Sequence, residues 1–231
     1  MYSYVAFLLI LLLLGMETTF FRFMSKEGSE KNVYATSILP VAMLTSLFTI
    51  FALIFSKDIA RIIQYPDQSE YVIIFALIIA FDALSALPLA RLREQGKAKR
   101  FAMINISSIF INISLNVFFI YFCMGLYDGG DRSYWLVSVY SPEIGIGYIF
   151  IANLVASLVK IVLLIPEMSN LHFKLDTVLL RKMLMYALPL LIAGIALKVN
   201  ETLDRVLLKY MLSSAYGLAY ALTQVGIYGA C

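Results

Sequence analysis

The chain has 231 residues, 61% of them apolar and 14% charged, with a formal net charge of +3 and a mean hydropathy of +0.86. Soluble domains carry roughly 45–50% apolar and about 25% charged residues, so too few polar groups remain to cover a soluble globule. Disorder, collagen and a disulfide-stapled secreted scaffold are excluded by the same numbers, and the chain reads as an integral membrane protein. Cys123 and Cys231 lie far apart and His172 is the only histidine. No metal-ligand, redox or Ser/His/Asp constellation follows from these, and no metal or cofactor is expected.

A helix crossing the ~30 Å hydrocarbon core needs about 20 mostly apolar residues. Six stretches qualify: Tyr2–Phe21, Thr36–Phe55, Tyr71–Leu89, Phe101–Met124, Ile144–Ile165 and Met183–Met211; a seventh, Ala215–Cys231, is cut by the chain end. None alternates apolar and polar residues as a membrane β-strand would, so the expected fold is all-α, a polytopic membrane helix bundle. The first segment has no basic flank before it and no small-residue cleavage site, so it is not a signal peptide. Its inner end carries Glu17 and Arg22, the latter placed to snorkel or to face a cavity. In the third segment Asp82 lies below Pro88, where Arg91 or Arg93 could neutralise it. The fourth places Asn105, Ser108, Asn112 and Asn116 within an arc of about 80°, a stripe suited either to gluing helices together or to lining a hydrophilic passage. Lys160 in the fifth reads as a snorkelling anchor.

The sixth segment holds Lys198, Glu201, Asp204 and Arg205. Unpaired in lipid, these four would oppose insertion by ~10 kcal/mol. Helical spacing lets Glu201 pair with Lys198 and Arg205, which makes either an interhelical ion cluster or the charged wall of a water-filled cavity. Pro88 and Pro189 each remove a helical hydrogen bond and mark bends.

Lys and Arg fix the orientation. Eleven of them (Arg22, Lys26, Lys31; Arg91, Arg93, Lys97, Lys99, Arg100; Lys174, Arg181, Lys182) sit in alternate connections, against four (Lys57, Arg61, Arg132, Lys209) in the others. The richer connections are therefore cytoplasmic. No phosphate-binding G-x-x-x-x-G-K-[ST] loop occurs. No paired carboxylates of a sugar transferase lie on a cytoplasmic loop, so the chain is not expected to be an enzyme or to bind nucleic acid. Both ends look cut, as in a fragment of a longer chain.

Gly15-Met-Glu-Thr-Thr-Phe-Phe-Arg22, Asp82-Ala-Leu-Ser-Ala-Leu-Pro88-Leu-Ala-Arg91-Leu-Arg93, Lys99-Arg100-Phe101 with the Asn-rich span after it, Ala187-Leu-Pro189 with Asp204-Arg205, and Gly226-Ile-Tyr228 together resemble the O-antigen type polysaccharide flippases. That family lies within the multidrug/oligosaccharidyl-lipid/polysaccharide exporter superfamily. The resemblance implies two six-helix lobes around a cavity open to one side at a time. Residues 1–165 would be first-lobe spans, 166–182 a cytoplasmic inter-lobe linker and 183–231 the start of the second lobe. It implies a multi-pass protein of the bacterial inner membrane that flips an undecaprenyl-pyrophosphate-linked oligosaccharide to the outer leaflet, coupled to H⁺ or Na⁺, with membrane lipid and polysaccharide assembly proteins as partners. Lacking the first helix and most of the second lobe, the chain as it stands is expected to be inactive.

On this reading Arg22, Lys198 and Arg205 attract the pyrophosphate, because an anionic head needs counter-charge to leave water. Asn105, Asn112 and Asn116 bind sugar hydroxyls. Glu17, Asp82, Glu201 and Asp204 balance the charge or take the coupling ion. A cation-coupled multidrug exporter, which would need an acidic, aromatic-lined cavity, and a non-transporting membrane scaffold are the alternatives.

Overall fold

The computed structural model describes residues 2–27, 30–62, 69–123, 145, 147–169, 176–217, 220, 223–224 and 226–228, and no strand occurs among them. The helices are α1 (Tyr2–Leu13), α2 (Met16–Glu27), α3 (Glu30–Ile54), α4 (Ser56–Ile62), α5 (Ser69–Glu94), α6 (Ala98–Asn116, continued by a π-helical stretch, Val117–Cys123), α7 (Gly147–Ser169) and α8 (Thr177–Tyr216). Six stretches are long and apolar enough to span a bilayer: Phe7–Lys26, Asn32–Ile54, Ser69–Glu94, Ala98–Cys123, Gly147–Ser169 and Thr177–Asn200. The protein is an all-α, multi-pass membrane bundle.

Helix α5 is its centre, packing on α3 and α7 along its most extensive seams and also on α1, α2 and α6. Lipid tails are as apolar as leucine, so no hydrophobic force drives one span against another, and close approach between small residues does the work. Helix α5 buries Ala76, Ala80, Ala83, Ser85 and Ala90, and α7 answers with Gly147, Ala152, Ala156 and Ser157. Larger side chains close the end that the Lys/Arg bias assigns to the cytoplasm: Met16, Phe20, Tyr34, Leu87 and Met183 from four helices are almost wholly buried together. Met103, Ile106 and Phe110 of α6 and Leu188 and Ile192 of α8 point outward as a lipid-facing surface.

Two features depart from the expected spans. The first segment is not one helix: Leu14 and Gly15 both take left-handed backbone, with φ of 51° and 67°, and separate α1 from α2. The reason is tertiary. A Cβ on Gly15 would stand 3.1 Å from the carbonyl oxygen of Ala187 and 3.4 Å from Cβ of Leu190, so the break lets α8 approach the backbone directly. The Thr19 hydroxyl, 2.9 Å from the Gly15 carbonyl oxygen, donates to it and helps to close the turn.

The sixth segment begins earlier than its hydropathy indicates. Asp176 caps α8, its Oδ1 accepting the amides of Val178 and Leu179 at 3.0 Å each. With α7 running to Ser169, helix occupies both ends of the 166–182 stretch. The seventh segment, Ala215–Cys231, lies largely outside the described residues.

Candidate functional site

A pocket of about 290 Å³ opens between α5, α6 and α7. From α5 comes Asp82, from α6 Ser108 and Asn112, from α7 Asn153, Ser157 and Lys160; Ile109 and Ile113 flank them. The Lys160 ammonium donates to Asp82 Oδ1 at 2.9 Å, and the Ser157 hydroxyl donates to the same oxygen at 3.1 Å. Asn112 donates through Nδ2 to Asn153 Oδ1. The Asn112 side-chain oxygen accepts from Asn116 Nδ2 at 2.8 Å, and Ser108 donates to the Ala156 carbonyl at 3.1 Å. Asp82 lies roughly 13 Å along α5 from Arg91, well inside the hydrocarbon depth. A charge pair there is tolerated because it is neutral as a whole and hydrogen-bonded.

This arrangement corrects two readings of the sequence. Asp82 is neutralised by Lys160, not by Arg91 or Arg93, and Lys160 turns inward to the carboxylate and does not snorkel toward the membrane surface. Arg91 is committed elsewhere. It is 8% exposed, its guanidinium carbon lies 4.5 Å from the centre of the Tyr34 ring, and it donates to the Glu167 carbonyl at 3.0 Å.

The basic end is held by a second set of pairs. The Glu167 carboxylate takes Arg100 at 3.2 Å, while Arg93 pairs with Glu17 and stands over the rings of Phe21 and Phe101. Glu17 is thus tied to α5. Arg22 is exposed and lies 3.9 Å over the Tyr186 ring of α8, and among the described residues no carboxylate pairs with it.

Asn105 and Lys198 also fall apart from the pocket. Asn105 donates back to the Phe101 carbonyl of its own helix at 3.0 Å. Lys198 is half-buried on α8, about 24 Å along the helix from Lys182. The side chains of Glu201, Asp204 and Arg205 lie outside the described residues. Of the ten candidates, the pocket gathers Asp82 and Asn112, with Asn116 bonded to Asn112. Asn153, Ser157 and Lys160 were not singled out as a group, although their i, i+4, i+7 spacing sets them on one face of the fifth segment. Among the described residues no cluster of His, Cys, Asp or Glu could hold a metal ion.

The pocket can offer hydrogen bonds at membrane depth without presenting net charge, and Arg22 offers a cation stacked in place at the basic end. A family model described as MatE matches residues 2–118, just over half of the chain. No curated protein and no solved structure matches it.

Proposed function

Because the chain belongs to the MatE family, whose members are membrane transporters, we propose that it serves the movement of a lipid-linked oligosaccharide, carried on undecaprenyl pyrophosphate, from the inner to the outer leaflet of a bacterial cytoplasmic membrane. The pocket between α5, α6 and α7 carries this reading. Its charge is balanced by Asp82 and Lys160, its remaining polar groups are amides and hydroxyls, and none of its described lining residues is aromatic. An exporter of lipophilic cations would be better served by an unbalanced carboxylate among aromatic rings, because both attract a cation. Amides and hydroxyls suit sugar hydroxyls, and Asn112, Asn153, Ser108 and Ser157 supply them here, with Asn116 bonded to Asn112 behind them. Arg22 is the anchor for the pyrophosphate. Its stacking on Tyr186 fixes the guanidinium plane while leaving its N–H edges to pair with phosphate oxygens. Lys198 and Arg205 add positive charge farther along α8, with Glu201 and Asp204 as balancing carboxylates, while Glu17 balances Arg93.

Binding in lipid nanodiscs tests this. Undecaprenyl-pyrophosphate-linked glycan is expected to bind, and ethidium, a lipophilic cation, is not. Arg22→Ala is expected to weaken glycan-lipid binding about tenfold or more, the loss of one charge-assisted contact. Ethidium binding with no glycan-lipid binding would overturn the reading.

A further inference from the structure

We infer that the α5–α6–α7 pocket is a subsite for a single uncharged sugar ring, in which Asp82 is a hydroxyl acceptor and Lys160 is its fixed counter-charge. This rests on the reading of the protein as a glycan-lipid transporter, and it adds the location, the residues and the charge of the ring bound.

The hydrogen-bond inventory supports it. Both donors that reach Asp82 converge on Oδ1, so Oδ2 has no donor among the described residues. An ammonium carries three N–H groups, and Lys160 uses one of them on Asp82. Asn112 has two side-chain N–H donors and directs one to Asn153. The pocket thus presents an anionic acceptor beside several donors at its wall. A sugar hydroxyl both donates and accepts, so adjacent hydroxyls on one ring can give to Asp82 Oδ2 and take from Lys160 and Asn112.

Charge narrows the ligand class. Asp82 and Lys160 cancel, so a ligand with net charge would leave one unit uncompensated at membrane depth, which is unfavourable. A free phosphate or a monovalent cation is disfavoured on that ground, and a neutral ring is not. The space agrees. About 290 Å³ is the low end of ligand cavities and holds one ring, not a chain of them. Ile109 and Ile113, 58% and 56% exposed, form an apolar rim suited to the C–H face of such a ring. The assignment also explains why a carboxylate is kept in the membrane with a partner from a different helix: the pair stays neutral while one oxygen is left to bind.

Thermal unfolding of the detergent-purified chain tests this with D-glucose, D-galactose and D-mannose, each against its L enantiomer. Enantiomers are identical as osmolytes, so any difference between them comes from a chiral site and not from general exclusion of sugar from the surface. At least one D sugar is expected to raise the unfolding midpoint saturably, by about 3 °C at tenfold excess over its Kd, where its L form gives only a small linear rise. Asn153→Leu, which removes a pocket wall but leaves Asp82 and Lys160 paired, is expected to abolish the difference. Equal shifts by D and L forms throughout would overturn the inference, as would a difference that survives in both Asn153→Leu and Asn112→Leu. Glycan-lipid binding without a chiral sugar effect would remove the subsite alone; a chiral effect without glycan-lipid binding would remove the transport reading alone.

Discussion

The charges of this protein are sorted by what partners them. The Asp82–Lys160 pair is the one most enclosed by the membrane-spanning helices, with side chains 31% and 19% exposed. Removing one member of an enclosed pair strands the other, and for fully buried pairs that costs 3–5 kcal/mol. This pair is only partly enclosed, so Lys160→Met is expected to destabilise the protein by roughly 2 kcal/mol. Adding Asp82→Asn should recover most of that loss, a coupling that a double-mutant cycle in thermal unfolding would read directly. Glu17→Gln, which breaks the more exposed pair with Arg93, is expected to stay within about 1 kcal/mol of the parent. Additive single and double variants at 82 and 160 would contradict the pairing. That Asp82 needs a partner or a polar cavity was legible, since an unpaired carboxylate facing lipid is costly. The partner's identity was not, because Arg91 and Arg93 are near in sequence while Lys160 is near only after α7 packs on α5.

Helix length and apolarity were readable because the bilayer imposes both, and six of the segments taken from the sequence correspond to six spans in the structure. The break at Leu14–Gly15 was not readable. A single glycine in an apolar run does not stop a membrane helix, and what breaks this one is the approach of α8 at Ala187 and Leu190. Gly15 and Gly96 have nearly the same left-handed φ, 67° and 69°, but nothing lies within 4 Å of a Cβ built on Gly96. Gly96→Ala is therefore expected to cost only the backbone term, about 1 kcal/mol. Gly15→Ala adds an overlap with a helix backbone and should cost at least ~1 kcal/mol more. Equal unfolding midpoints for the two variants would show that α8 does not hold the break. Asp176 is a similar case at the opposite end: its cap sets the start of α8 ahead of the apolar run, where a hydropathy reading begins too late.

As a whole molecule the bundle is small-residue seams around α5, a closed basic end, and a polar pocket partway through the membrane. Fold class and membrane character followed from composition, whereas the pocket required three helices to meet. The Asn stripe of α6 showed one wall, and its reading as glue or as passage could not be divided by angle alone. In the structure Ser108 and Asn112 bond to α7 and also line the pocket. The transport reading depends on that pocket holding water rather than being filled by lipid.

Cysteine accessibility decides this, because a thiol reacts with a membrane-impermeant methanethiosulfonate only as the thiolate, which needs water. In a background with Cys123 and Cys231 replaced by serine, Asn112→Cys in the pocket and Phe110→Cys, 71% exposed on the outward face of the same helix, are compared in intact membranes. Position 112 is expected to react and position 110 to remain inert; an unreactive cysteine at 112 would mean a dry helix seam and would contradict a hydrated binding site there.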